Sequence, residues 1–164
     1  MAVENNIIRN SGHYGLDPQV MIIRNNMRIM VCGSIGYGGI KEIKNLNAFL
    51  VNKGFSVVDH ILHKGMNYSQ IKDFRDKQDL SFKIINYDLK YIESSDAIVA
   101  IMNGPSYGTA IEIFVAKNLG KKIILFAKDP VPTPWPVYFS DHIATSEDQL
   151  YRILRNLESS CKGN

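Results

Sequence analysis

Cysteine is scarce in this chain: 164 residues contain two, Cys32 inside an apolar run and Cys161 in a polar tail. There is no CxxC pair and no zinc-ligand spacing. Neither a disulfide framework nor a metal centre is therefore expected, and both thiols read as reduced groups of a cytoplasmic protein. A surplus of one charge is also missing. The formal net charge is only +3, with the lysines spread along the chain, so nothing favours a nucleic-acid partner. No apolar run approaches the roughly 18 residues of a membrane span, and no membrane partner is expected. Residues 1–26 lack the basic start, apolar middle and small-residue cleavage site of a secretory signal. They are expected to form a partly disordered N-terminal extension ahead of one domain over residues 27–164.

The chain has an ordinary globular composition, 45% hydrophobic and 21% charged, and enough length to bury a core. From Arg28 onward, buried-strand patterns alternate with amphipathic ones. "RIMVCGS", "FSVVDH", "DAIVAIM", "KKIILFA" and the short "HIAT" read as strands. "IKEIKNLNAFLVNKG", with Ile43, Leu46, Phe49 and Leu50 at helical spacing, reads as a helix stopped by Gly54. "LSFKIINYDLKYIESS" places Ile85, Leu89 and Ile92 on one face with Tyr87 and Tyr91 alongside, an apolar surface wide enough for burial on two sides. "TAIEIFVAKNLG" is a third helix and "SEDQLYRILRNLE" a last one, capped by Ser146. Residues 61–79 read as a variable loop. "DPVPTPWPVYF" holds four of the six prolines and the sole tryptophan, and is expected to be a stiff extended loop. The alternation predicts an α/β, flavodoxin-like three-layer sandwich around a mainly parallel sheet of order 2-1-3-4-5.

In such a sheet a ligand sits beyond the carboxyl ends of the first and third strands. The loops leaving them are "CGSIGYGG" and "NGPSYGT", each ahead of a helix N-terminus whose free N–H groups favour an anion. Gly33-Ser34-Ile35-Gly36 is neither a P-loop nor a GxGxxG fingerprint, which removes P-loop NTPases and disfavours a dinucleotide fold. Glu112 has two readings. Thr109-Ala110-Ile111-Glu112 fits a capping box, while a carboxylate facing this cleft, kept ionised by the helix terminus, can act as a nucleophile on an anomeric carbon. Asp88, in "NYDLKYIESSD", is the candidate second carboxylate, or else an ordinary helix aspartate. Trp135 and Tyr138 are either surface tethers or flat faces for a planar ligand.

Taken together, Cys-Gly-Ser-Ile at the end of a strand, Asp-Leu before Ser-Asp-Ala-Ile-Val-Ala, and Gly-Pro-Ser-x-Gly-Thr-x-x-Glu-x-x-x-Ala before Gly-Lys-Lys-Ile resemble the nucleoside 2-deoxyribosyltransferase family. The loops look most like its 2'-deoxynucleoside 5'-phosphate N-hydrolase branch. The resemblance implies a cytoplasmic enzyme without cofactor or metal, acting on a nucleoside or nucleoside monophosphate as a homodimer with shared active sites. Carried over by motif, Glu112 is the nucleophile and Asp88 assists base departure or orients it. Ser106, Gly108 and Thr109 receive the 5'-phosphate, and Gly33, Ser34, Ile35 and Gly36 form the opposite wall. Met30 stands where the family often has a tyrosine, and Gly36 where the hydrolase branch has an arginine. The expected activity is hydrolysis of the N-glycosidic bond of a (deoxy)nucleoside 5'-monophosphate through a glycosyl intermediate on Glu112. Base exchange and non-catalytic nucleotide binding are the alternatives.

Overall fold

The computed structural model describes residues 26–63 and 65–161; the extension expected over residues 1–26 lies, Asn26 apart, outside them. Five strands form one sheet: β1 (Arg28–Cys32), β2 (Ser56–Val58), β3 (Ala97–Ile101), β4 (Lys122–Phe126) and β5 (His142–Ala144). Their order is β2-β1-β3-β4-β5 and every pairing is parallel. The fold is the flavodoxin-like sandwich read from the sequence. Because successive strand residues face opposite sides, each strand feeds two cores. Ile29, Val31, Val99 and Ile124 pack with Ile43, Leu46 and Leu50 of α1 (Ile40–Asn52) and Leu150 and Leu154 of α5 (Glu147–Cys161). Met30, Cys32, Ile98, Ala100 and Leu125 pack with Ile92 of α2 (Gln78–Ser94) and Ile113 and Ala116 of α3 (Tyr107–Asn118). Burial on both faces explains why the strands read as unbroken apolar runs.

Two expectations are corrected. The proline-rich segment is not extended throughout: Pro134–Phe139 is a short helix, α4, with Thr133 as an extended N-cap residue. Proline's locked φ suits the first helical turn, where an N–H has no intrahelical partner to lose. Trp135 stacks on Phe139 one turn later, ring centroids 6.5 Å apart. In α2 the core-facing stripe is Ile84, Asp88 and Ile92, whereas Ile85 and Leu89 are exposed. The apolar positions of this helix mark two adjacent faces. Its inward face carries a carboxylate.

Candidate active site

The capping box is not formed. Helix α3 starts at Tyr107, and its N-cap is Ser106, whose Oγ accepts hydrogen bonds from the Thr109 N–H at 3.3 Å and from Thr109 Oγ1 at 3.1 Å. Ser106 keeps its own hydroxyl proton for another acceptor. Glu112 is then the sixth helical residue, past the turn in which the helix dipole acts. Asp88 reaches the same place from α2, because i, i+4 spacing with Ile84 and Ile92 turns it inward; only 8% of its surface is exposed.

Both carboxyls line a cavity of about 270 Å³ between α2 and α3, with Gly33, Gly108 and Thr109 on its wall. Its other walls are mainly apolar, Phe74, Ile84, Ile85, Ile92 and Ile111 among them, with hydroxyls added by Tyr68 and Ser81. The expectation of an ionised Glu112 is overturned. Burial, then the neighbouring charge of Asp88, push its carboxyl up to about 8, against a smaller lowering by a hydrogen bond with Cys32. The carboxyl lies deep although the residue retains some accessible surface, because that surface opens into the cavity. Burial alone pushes Asp88 up to about 7. Near neutral pH the pair therefore holds protons that solvated carboxylates would have lost. Among the described residues the buried Asp88 Oδ1 atom has no hydrogen-bond partner.

A second cavity adjoins the first at Tyr68, Phe74 and Gly108, and is lined by Gly36, Tyr37, Lys72, Ser106 and Tyr107. The open first turn of α3 faces it. The β1–α1 loop behaves differently, because it consumes several of its own donors. Ile35 N–H binds the Gly33 carbonyl, and the N–H groups of Tyr37 and Gly39 both bind the Ser34 carbonyl. A Cβ on Gly39 would stand 3.0 Å from that carbonyl oxygen, and Gly38 has φ +92°, so glycine is needed at both. Ser34 is buried and donates to Asn103 Oδ1 at 3.2 Å, Asn103 in turn donating to Glu42. Ile35 is packed in the α1/α5 core. The structure thus brings Glu112, Asp88, Gly33, Gly108, Thr109, Ser106 and Gly36 to the two cavities, and places Ser34 and Ile35 outside them.

Sequence reasoning passed over four contributors. Cys32, at the end of β1, is a buried free thiol beside Glu112. Burial and the Glu112 charge hold its acidity far below the ordinary level. Tyr68, Lys72 and Phe74 come from the segment read as a variable loop, and the apolar and aromatic residues in "GMNYSQIKDF" were the available signal. Met30 is fully buried between β-sheet and α2 and lines neither cavity. Trp135 lines neither cavity but a neighbouring groove, which shares Tyr37, Ser106 and Tyr107 with the second cavity. Among the described residues no cluster of three His, Cys, Asp or Glu side chains could hold a metal ion.

The sequence family described as nucleoside 2-deoxyribosyltransferase matches residues 32–153. No curated protein matches. Two solved structures share the fold, each with a TM-score of 0.59: a 2-deoxyribosyltransferase from Bacillus psychrosaccharolyticus and a conserved protein from Enterococcus faecalis V583. The first is 17% identical over 76% of this chain and 90% of its own. The second is 18% identical over 80% of this chain and 98% of its own. A CMP N-glycosidase from Clostridium botulinum, BcmB, is 22% identical over 79% of this chain and 98% of its own, with a TM-score of 0.49.

Proposed function

The chain belongs to the nucleoside 2-deoxyribosyltransferase family, and from that premise we propose that it hydrolyses the N-glycosidic bond of a (deoxy)nucleoside 5'-monophosphate. The observation that carries this reading is the convergence of two buried carboxyls, Glu112 and Asp88, on one apolar cavity. At rest the pair's one proton sits on Glu112, the group held higher; once it has passed to Asp88, the Glu112 carboxylate attacks C1' of the sugar. The C1'–N bond breaks, and its electron pair leaves on the base nitrogen, which takes the proton from Asp88. A glycosyl ester on Glu112 results. Water, giving a proton to Asp88, then attacks C1' and restores the Glu112 carboxylate, releasing the sugar phosphate.

The 5'-phosphate is assigned to the second cavity. Support comes from the open first turn of α3, the free hydroxyl proton of Ser106 and the cationic Lys72, among the described residues the one basic side chain on that wall. Base exchange, in which a second base replaces water, is favoured by the family's own description. A screen of nucleosides and their monophosphates for released base, with and without an acceptor base, separates the two reactions. Glu112→Gln is expected to lower release at least about 10³-fold; release at the wild-type rate would remove Glu112 from the mechanism.

The same reading takes the enzyme to be a homodimer. Phe82 and Ile85 of α2, Ile111 and Phe114 of α3, and Trp135 of α4 are all exposed on the side of the sheet that carries the cavity. A second copy covering them would border the cavity at Ile85 and Ile111. Among the described residues no helix is long and apolar enough to cross a membrane, and a cytoplasmic location accords with the free Cys32 thiol.

A further inference from the structure

The segment between β2 and α2 covers the site. Its Tyr68 lines both cavities, and a Cβ built on Gly36 would touch the Tyr68 ring at 3.9 Å. The ring is held from two sides. Phe74 packs against it edge-on at 5.7 Å, the Tyr68 N–H binds the Met66 carbonyl, and the Ile71 N–H binds the Tyr68 carbonyl. Yet the Tyr68 hydroxyl makes no hydrogen bond with the described residues. It belongs to the same electrostatic environment as the two carboxyls. Burial, then the charges of Glu112 and Asp88, push its ionisation up to about 12, so it remains a proton donor wherever the enzyme works.

The unsatisfied groups in the first cavity are complementary. Asp88 Oδ1 is a buried acceptor without a donor, and the Tyr68 hydroxyl is a donor without an acceptor. The remaining hydroxyls on that wall are engaged: Ser81 Oγ donates to the Lys77 carbonyl at 2.9 Å, and Thr109 Oγ1 to Ser106 Oγ at 3.1 Å. A ligand that seals this cavity without pairing with these groups leaves them both unpaired, which is costly. One alcohol satisfies both, because a hydroxyl accepts one hydrogen bond while donating another. Tyr68 also stands where the two cavities meet, which is where the sugar lies if the base occupies the first and the phosphate the second.

We propose that Tyr68 is a sugar-binding residue of this site, its hydroxyl donating to a substrate hydroxyl that donates in turn to Asp88 Oδ1. This rests on the assignment of a nucleotide to the two cavities. The unpaired phenol selects against sugars lacking that hydroxyl, since binding them leaves both protein groups unpaired.

The experiment uses ribose 5-phosphate and 2-deoxyribose 5-phosphate as probes, bound calorimetrically to wild type, Tyr68→Phe and Tyr68→Leu, with melting temperature as the check on folding. Tyr68→Phe keeps the ring and removes only the hydroxyl. It is expected to weaken binding about five- to tenfold without lowering the melting temperature. Weakening of ribose 5-phosphate alone identifies the 2-hydroxyl as the partner; weakening of both identifies a hydroxyl the two sugars share. Equal affinity of Tyr68→Phe and wild type for both probes overturns the proposal, and so does failure of wild type to bind either. Tyr68→Leu separates packing from hydrogen bonding: if only the leucine variant binds weakly, the ring matters and the hydroxyl does not. Where base release is observed, Tyr68→Phe is expected to raise KM by a similar factor. Base release that is lost in Glu112→Gln but unaltered in Tyr68→Phe leaves the nucleotide assignment standing while the sugar contact fails.

Discussion

Glu112 and Asp88 are carboxyls whose protons are held by burial, and that fixes how the enzyme should respond to pH. Glu112 is pushed up to about 8 and Asp88 to about 7, so the singly protonated pair is most populated between those values. A bell-shaped dependence of kcat/KM with its maximum between about pH 7 and 8 is expected. Asp88→Asn removes the second-largest cause of the Glu112 shift. The bell should become a single rising limb with its midpoint below 8, and the rate should fall roughly 10²- to 10⁴-fold. Rates of base release from pH 5 to 10 decide this, and a limb that keeps its place shows that Asp88 does not act on Glu112. The candidacy of Glu112 was readable from its motif, but its ionisation was not. The motif resembles a helix start, where charge is favoured, and only the placement of the true N-cap three residues before Thr109 moves Glu112 out of the dipole's reach.

Helix α3 carries both halves of the site on one axis, with its first turn facing the second cavity and Glu112 facing the first. Ser106 starts it. Ser106→Ala removes the side-chain acceptor of the Thr109 N–H and should cost about 1 kcal/mol of stability. It also removes a donor from the proposed phosphate site, so KM should rise about fivefold or more for monophosphates and stay unaltered for the nucleosides. A rise of equal size for both would place the phosphate elsewhere. Helix α2 shows the limit of pattern reading. Ile85, Leu89 and Ile92 were legible as apolar, but the inward stripe runs through Ile84, Asp88 and Ile92. Periodicity cannot choose between adjacent faces when both carry apolar residues and the one facing the core includes a carboxylate.

The molecule as a whole gives up stability to keep these groups buried. Below their ordinary values near 4, Glu112 and Asp88 are protonated folded or unfolded, and burial costs no charge. As pH rises towards 8 the unfolded chain releases their protons first, and stability falls. His60 works in the opposite sense at lower pH. It is fully buried, neither ring nitrogen is hydrogen-bonded among the described residues, and burial lowers its pKa from the usual 6.5 to about 4. Stability due to its neutral form is therefore lost as pH drops from 6.5 towards 4. Glu112→Gln should raise the melting temperature at pH 9, by an amount equivalent to roughly 2–4 kcal/mol, and have little effect at pH 4. Thermal unfolding at both values checks this; equal effects would mean that the Glu112 carboxyl is not buried as a charge. A second whole-molecule expectation concerns the apolar face of α2 and α3. Phe114→Lys should convert a homodimer to a monomer in light scattering and weaken activity with it, and a wild-type chain that is already monomeric would end the shared-site reading.

The sequence by itself determined the sheet order, the two-layer burial of the strands and the candidacy of Glu112 and Asp88. Each of these is written in local patterns: apolar runs of strand length, glycine/serine turns after the first and third strands, and a motif that spans one turn and one helix start. Tertiary structure alone decided how far the β1–α1 loop consumes its own donors, that Ser106 and not Thr109 caps α3, that Asp88 points inward, and that Tyr68, Lys72 and Phe74 return from a distant segment to the two cavities. Those outcomes depend on packing between elements far apart in the chain. Whether a carboxyl keeps its proton or a hydroxyl finds a partner is settled by the atoms that surround it, and these come from several elements at once.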